Sequence, residues 1–256
     1  MFDDTVQGGV FLILYLLLSE ILGVSNSFYS NFIIKERHGF NKMTVSTFFS
    51  DKLKEYLLMI IIGLPVYYGI MKIIVWGGPY FYLYLTAFSV ISIILLMMLI
   101  PNVIMPMFNK YSELQDLELK RRIEEEAQRM EFPLKHIYVM DASKRTAHSN
   151  AFYYGFGSNK RIVIFDTMLE QHQGPNGIEE IVAVVRHELG HWHFMHPLKN
   201  LFWSIINLFV MFTLFSFVIN NHAILYSFGF LAESNFISLM LFFKLYEPVS
   251  FLTSLI

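Results

Sequence analysis

Residues 187–219 read HELGHWHFMHPLKNLFWSIINLFVMFTLFSFVI, a His-Glu-x-x-His motif followed at once by an apolar segment of membrane length. If the motif is helical, His187 and His191 lie on one face, about 40° apart around the helix axis. Their ring nitrogens can then converge on one Zn²⁺, while Glu188 reaches the attacking water as a general base. The stretch therefore predicts a zinc hydrolase site beside a membrane segment.

Composition points to the same environment. Hydrophobic residues make up 55 % of the 256 residues, and charged residues only 16 %. A soluble core of this size cannot bury so much apolar surface, so membrane lipid must solvate part of the chain. The formal net charge of −2 provides no basic excess for phosphates, which argues against a nucleic-acid partner. The lack of cysteine excludes disulfides and Cys-ligated metals.

Four or five segments are apolar enough to cross a hydrocarbon core of ~30 Å. The clearest, 80–100, carries no charged residue, whereas the fifth is short and interrupted. The predicted segments are 6–24, 56–76, 80–100, 201–219 and, as the fifth, 237–245.

The basic residues predict the orientation of these segments. Five Lys and Arg lie within 25–55 and twelve within 110–199, so two loops hold 17 of the 19. Two membrane segments separate these loops, which therefore face the same side. By the positive-inside rule that side is the cytosol.

The second basic loop is predicted to be the chemical domain. A surface helix is expected over 113–131, and strands over 136–140, 151–156 and 161–165. The motif helix is expected over 177–196, with Asn176 as N-cap, Glu179 completing a capping box, and Pro197 ending it.

The predicted fold is thus an α-helical multi-span membrane protein with an inserted α+β zinc-metallopeptidase domain of the gluzincin-like kind. Membrane helices are expected over 1–106, the cytosolic domain over 107–200, and further membrane helices over 201–256.

A catalytic zinc site needs three protein ligands, and the motif supplies two. His193 is two residues beyond His191 and points away from it on a helix. His196 does not have the metzincin spacing, which requires a Gly three residues and a His six residues after the second ligand. The remaining candidates within the chain are the carboxylates of Glu233 and Glu247.

The strand containing Asn150, Ala151 and Phe152 is a candidate substrate-binding edge. A peptide substrate could add to it as a further strand through main-chain hydrogen bonds. Plain packing within the sheet explains the same residues equally well.

Six short blocks, spread over nearly the whole chain, carry a family resemblance. They are RHGFNK at 37–42, PMFNK at 106–110, FPL at 132–134, SKRTAHSNA at 143–151, KRIVIFD at 160–166 and HELGHW at 187–192. In this order and spacing they resemble the type I CAAX prenyl proteases, the Ste24-like integral membrane zinc metallopeptidases of family M48.

The resemblance implies membrane helices around an intramembrane chamber that the zinc domain closes on the cytosolic side. It implies residence in the endoplasmic reticulum membrane and possibly the inner nuclear membrane. The implied substrates are farnesylated or geranylgeranylated CAAX proteins, which lose the three residues after the modified cysteine. The resemblance also implies that the sequence is a fragment: a first membrane helix would precede it, and the third ligand, a Glu in a Glu-x-x-x-Asp-like motif, would lie beyond Ile256.

Two alternatives stay open at this point. One is a membrane quality-control metalloprotease of the HtpX type, which the blocks at 37–42 and 143–151 disfavour. The other is a protein without catalytic activity, because the third zinc ligand is missing from the sequence.

Overall fold

The computed structural model describes residues 3–155, 157–219, 221–230 and 234–253. Within these residues, five helical stretches are long and apolar enough to cross a membrane. Their bounds are Asp4–Lys35, Val45–Trp76, Gly78–Phe108, His196–Val218 and Asn235–Thr253. The predicted multi-span helical architecture, with a small α+β region between the third and fourth stretches, is confirmed.

The helices before the α+β region are α1 (Asp4–Tyr29), α2 (Val45–Trp76), α3 (Phe81–Leu99) and the short α4 (Met105–Phe108). Single π-helical turns extend two of them, Ser30–Lys35 after α1 and Ile100–Ile104 after α3. The α+β region holds β1 (Tyr111–Glu113), α5 (Leu117–Arg129), β2 (Leu134–Met140), β3 (Ala151–Tyr154), β4 (Lys160–Phe165), α6 (Asp166–Gln171) and α7 (Gly177–His193). The chain continues with α8 (His196–Val218), α9 (His222–Ser227) and α10 (Asn235–Thr253).

Contacts divide the chain into two compact units. The first consists of the described residues of Met1–Gly23, Leu53–Ile94 and Phe202–Ile256. Its core is largely aromatic and includes the fully buried Phe215, with Phe81 packed edge-on against it at 5.8 Å between ring centroids. The Tyr67 hydroxyl donates a hydrogen bond to the Thr5 carbonyl at 2.9 Å, which satisfies a polar group inside this apolar core.

The fifth membrane segment is longer than the sequence predicts. Instead of a short, interrupted stretch at 237–245, α10 runs unbroken for 19 residues and contains Pro248. The Asp4 carboxylate accepts hydrogen bonds from the Asn235 amide at 3.0 Å and from the Ser234 hydroxyl at 2.5 Å, so the start of the helix has its donors satisfied. Asp4 and Asn235 are 231 residues apart in the sequence, so no local pattern could have revealed their contact.

The second unit consists of Val24–Lys52 and Leu95–Leu201. Its sheet has the strand order β1-β2-β4-β3, in which β2 and β4 are parallel and the other two pairs are antiparallel. β3 therefore forms one edge of the described sheet. Gly155 follows β3 with φ of +116°, and a Cβ there would lie 2.1 Å from the Asn159 carbonyl oxygen, so the turn into β4 requires glycine.

Two helices cover this sheet. The buried face of α5 presents Leu119 and Ile123, and the buried face of α7 presents the four residues Ile181, Val182, Val185 and Leu189. These side chains pack on Ile162 and Ile164 of β4, all at most 3 % exposed. Burying a side chain of this size contributes about 1.5–3 kcal/mol, so the stripe fixes the rotation of α7 about its axis.

One predicted helix begins later than expected, and one short strand was not predicted. The helix expected over 113–131 begins at Leu117, because the Asp116 carboxylate accepts from the amides of Glu118 and Leu119 at 3.0 Å and caps it there. The strand β1 precedes it and was missed, since three residues are too few for a visible alternation. The three predicted strands are present, although Phe156 of the predicted 151–156 lies outside the described residues.

The motif helix ends earlier than predicted. α7 stops at His193, Met195 adopts a left-handed φ of 55°, and α8 begins at His196 with Pro197 in its first turn. Asn176 is the N-cap residue, but its side chain makes no capping hydrogen bond, so the predicted capping box is wrong. Its backbone (φ −102°, ψ 4°) is not in the extended conformation that such a bond requires.

The family blocks contact one another within this unit. The Ala147 amide donates to the Phe40 carbonyl at 3.1 Å, which joins the block at 37–42 to the block at 143–151. The Arg145 guanidinium forms two hydrogen bonds with the buried Asp51 carboxylate, at 2.8 and 3.2 Å, and a third with the Asn109 side chain at 2.9 Å. Arg145 thus ties the loop before β3 to the beginning of α2.

A second arginine ties α7 to α5. Arg186 donates two hydrogen bonds to the Glu126 carboxylate, at 3.0 and 2.9 Å, and Arg129 adds a third at 2.9 Å. Glu126 is only 6 % exposed. The hydrogen bond from Arg186 holds the pKa of this carboxyl below its usual range.

Replacing Arg186 with Met should destabilise the unit by about 1–3 kcal/mol, because the buried carboxylate loses its two-pronged partner. Since the pKa of Glu126 is lowered in the folded state, the stabilisation is present at neutral pH and disappears as the pH falls through that pKa. Unfolding free energies of the wild type and the variant should therefore differ at neutral pH and converge in acid.

Arg121→Met provides the matched control. Arg121 pairs with Glu118 and Glu125 on the exposed face of α5, where such pairs contribute about 0–1 kcal/mol. Equal losses in the two variants would contradict the structural role of the Arg186–Glu126 pair.

Candidate metal centre

The two motif histidines lie on the last two turns of α7. Leu189 between them is buried in the core, which turns His187 and His191 towards the opposite side of the helix. Their Nε2 atoms are 3.3 Å apart and their rings are perpendicular, at 89°. Two nitrogens held by tetrahedral Zn²⁺ at about 2.0–2.1 Å lie about 3.3 Å from each other, so this donor pair fits a zinc ion.

Glu188 completes the cluster. One of its carboxylate oxygens and one ring nitrogen of each histidine all lie within 4.8 Å of one another. The side chain of Glu188 is half-buried, whereas that of His187 is exposed. The three residues assigned from the sequence are therefore brought together, with the carboxylate close enough to act on a molecule held by both imidazoles.

His196 joins the cluster from beyond the helix break. Its Nδ1 atom lies 2.7 Å from Nδ1 of His191, on the side of that ring opposite the Nε2 that faces His187. The His196 ring stacks on Phe194, with centroids 5.9 Å apart. His193, in contrast, is in ring contact with Phe194 and makes no hydrogen bond to either motif histidine among the described residues.

Among the described residues, Glu188 is the one carboxylate grouped with the two histidines, and none is present there as a third ligand beside it. Glu247 lies on α10, where it pairs with the Lys244 ammonium at 3.4 Å. Glu233, the other candidate within the sequence, lies outside the described residues.

A cavity of about 890 Å³ opens beside the cluster. Glu188 and His191 lie on its wall, and most of the rest is apolar or aromatic, including Phe152, Trp192 and Leu198. This volume is in the range of sites that enclose small organic ligands. An apolar ligand of this size class therefore has room next to the carboxylate.

The three candidate substrate-binding residues lie at the start of β3 and just before it. Phe152 shares the cavity with Glu188 and His191, but Asn150 and Ala151 do not line it. Ala151 is 2 % exposed and its side chain belongs to the core, so only its main chain could contact a peptide. The Asn150 side-chain oxygen accepts a hydrogen bond from the Ala151 amide at 2.9 Å.

Two polar residues line the cavity that the sequence patterns did not assign to the site. Lys160 extends over Phe132 and Trp192, 5.9 Å from each ring centroid, and burial lowers the pKa of its ammonium. Tyr153 has a buried hydroxyl without a hydrogen-bond partner in the described chain, and burial, with a smaller effect of Glu188, raises the pKa of its phenol. Strand alternation alone could have placed Tyr153 on the face of Ala151, but not beside Glu188.

Comparison with known proteins gives two family matches. Residues 1–110 match the region described as "CAAX prenyl protease N-terminal, five membrane helices", and residues 113–255 match "Peptidase family M48". Together they cover nearly the whole chain.

Comparison with individual proteins gives matches of the same kind. A CAAX prenyl protease 1 homolog of Caenorhabditis elegans is 39 % identical over 92 % of this chain, and one of Homo sapiens is 35 % identical over 94 %. The crystal structure of S. mikatae Ste24p superposes with a TM-score of 0.90 at 36 % identity and covers 98 % of this chain. The chain spans little more than half of those two homologues, 58 % of each, and 61 % of the solved chain.

Replacing Tyr153 with Phe should raise the free energy of unfolding by about 1 kcal/mol, because a buried hydroxyl without a partner costs energy that phenylalanine does not incur. The ring would keep its edge-on contact with Phe132, at 5.6 Å. Denaturant unfolding of the purified protein measures the change.

Tyr154→Phe is the comparison variant, since the Tyr154 hydroxyl accepts a hydrogen bond from Arg161 at 3.4 Å. That variant should be slightly less stable than the wild type. A clear loss of stability on Tyr153→Phe would mean that its hydroxyl has a partner after all.

Proposed function

Because this chain belongs to peptidase family M48, we propose that the protein is an integral membrane zinc endopeptidase that removes the C-terminal tripeptide from prenylated CAAX proteins. The observation that carries the proposal is the pair of Nε2 atoms 3.3 Å apart on α7, with the Glu188 carboxylate beside them. This arrangement on a helix next to a membrane-spanning segment is what hydrolysis at a membrane surface requires.

His187 and His191 would hold the metal, together with a carboxylate outside the described residues, as the family resemblance implies. When bound, Zn²⁺ would acidify water in the site towards a pKa of ~7 and polarise the scissile carbonyl. The chemistry of the donors supports zinc, since histidine nitrogens are common ligands of catalytic zinc and the two Nε2 atoms have the separation that it requires.

Glu188 is the proposed general base. Its carboxylate would take a proton from water as the oxygen attacks the scissile carbonyl carbon, and would then deliver that proton to the leaving amine nitrogen as the C–N bond breaks. Its half-buried position beside the two imidazoles supports this role.

Farnesylated or geranylgeranylated CAAX proteins are the proposed substrates. The names of the similar proteins support this class, and so does the largely apolar cavity next to Glu188. The main chain of Asn150, Ala151 and Phe152 is proposed to bind the peptide as an added strand, because β3 lies at the edge of the described sheet.

The proposed location is the endoplasmic reticulum membrane, with the inner nuclear membrane as a further site. Five membrane-length helices support a multi-pass protein. The concentration of 17 of the 19 basic residues within 25–55 and 110–199 supports a cytosolic position for the metal centre.

Glu188→Gln should lower the rate of tripeptide release by about 10²- to 10⁴-fold, because the amide cannot accept the proton of the attacking water. Its zinc content should stay that of the wild type, since both histidines remain. The measurement is mass spectrometry of the tripeptide released from a farnesylated CAAX peptide, beside metal analysis of the same samples. Glu170→Gln, the same change at an exposed residue of α6 that does not line the cavity, is the control and should cleave normally.

Three results would redirect the proposal. Equal turnover by Glu188→Gln and wild type would exclude Glu188 as the base. Cleavage of unfolded membrane proteins, but not of the prenylated peptide, would favour an HtpX-type role. Failure of the zinc-loaded wild type to cleave either substrate would indicate a protein without catalytic activity.

Removing the metal should abolish cleavage, and adding Zn²⁺ back should restore it, because the proposed reaction depends on acidified water. His191→Ala should not be restored at the same zinc concentration, since it lacks one of the two nitrogen donors. Activity that survives exhaustive chelation would contradict the metal dependence.

A further inference from the structure

The helix break after α7 brings a third histidine to the metal centre. In a continuous helix, His196 would lie about 140° around the axis from His191 and could not meet it. Instead, Met195 has a left-handed φ of 55° and α8 starts anew at His196. With this break in the helix, the Nδ1 atoms of His191 and His196 lie 2.7 Å apart.

A left-handed conformation is unusual for a methionine. Here it ends α7, and the Met195 amide donates a hydrogen bond to the Trp192 carbonyl at 2.8 Å. A residue other than glycine keeps such a backbone only where the surrounding structure holds it in place. Strained residues of this kind cluster at functional sites. Here the strained residue immediately precedes the histidine that contacts the centre.

The distance between the two Nδ1 atoms requires one hydrogen shared between them. A neutral imidazole carries its hydrogen on one nitrogen and a lone pair on the other. If His191 donates from Nδ1, its Nε2 has a free lone pair facing His187 and can bind a metal. If His196 donates instead, Nε2 of His191 carries the hydrogen and cannot be a ligand. Only one of the two arrangements is competent.

We propose that His196 is a positioning residue for the metal centre: it accepts a hydrogen bond from Nδ1 of His191 and thereby holds that ring in the tautomer and orientation that present Nε2 to the metal. This inference rests on the proposed metal-binding role of His187 and His191. It extends that role to a residue whose spacing in the sequence excludes it as a ligand of the usual kind. Partners of this type orient metal-binding histidines in many proteins.

Two ring contacts orient the exposed side chain of His196. Phe194 stacks on it with an angle of 22° between the ring planes, and the His191 ring crosses it at 61° with centroids 5.0 Å apart. His196 therefore has an apolar support on one side and the metal-binding histidine on another. Its Nδ1 is directed at one partner only among the described residues.

The test measures zinc affinity directly, without turnover. The intact, purified protein is stripped of metal, and its affinity for Zn²⁺ is obtained by competition with a chromogenic chelator. His196→Ala should weaken zinc binding by about 10- to 100-fold, the usual effect of losing such a partner. His196→Asn should recover part of the loss, because its amide oxygen can accept the same hydrogen bond.

His193→Ala is the matched control. It removes a histidine that lies in the same turn and on the same cavity but makes no hydrogen bond to His191 among the described residues. Its zinc affinity should equal that of the wild type. Thermal unfolding of all the metal-free variants should coincide, which separates positioning of the ligand from general destabilisation.

The zinc affinities distinguish failure of the positioning role from failure of the proposed function. Wild-type affinity in His196→Ala, with tight zinc binding by both proteins, would overturn the positioning role and leave the proposed function intact. No zinc binding by the wild type itself would overturn the proposed function together with this inference. A Co²⁺-substituted sample gives a second readout, since its visible absorption should change in His196→Ala and be largely recovered in His196→Asn.

Discussion

The burial of one face of α7 is the constraint on which the candidate site depends. Ile181, Val182, Val185 and Leu189 are at most 3 % exposed and pack on the sheet and on α5. Because these side chains must be buried, the rotation of the helix is fixed, and the opposite face carries His187, Glu188 and His191. Apolar packing thus decides which face of the helix carries these polar residues.

Paired charges complete the attachment of this helix and its surroundings. Arg186 connects α7 to the buried carboxylate of Glu126 on α5, and Arg145 connects the loop before β3 to the buried Asp51. Buried carboxylates are costly unless they are paired, so each arginine both satisfies a charge and joins two distant segments. Together they hold the rigid frame that a site of defined geometry requires.

The cavity and the helix break give this frame its chemical character. The wall beside Glu188 is apolar, which suits the proposed prenylated substrate, and the edge strand β3 is where its peptide is proposed to bind. The break at Met195 adds His196 to the centre and starts α8, a membrane-length helix, at the same point.

The sequence by itself determined the class of fold and the grouping of His187, Glu188 and His191. Apolar segments of membrane length and a four-residue spacing on a helix are local properties, and local patterns report them reliably. The length of α10, the strand β1, and the places of Tyr153, Lys160 and His196 around the cavity were decided only by the tertiary structure. Each depends on contacts between distant segments, such as Asp4 with Asn235, or on one strained backbone angle at Met195. Periodicity carries no information about either, because it describes which face a residue occupies and not what that face meets.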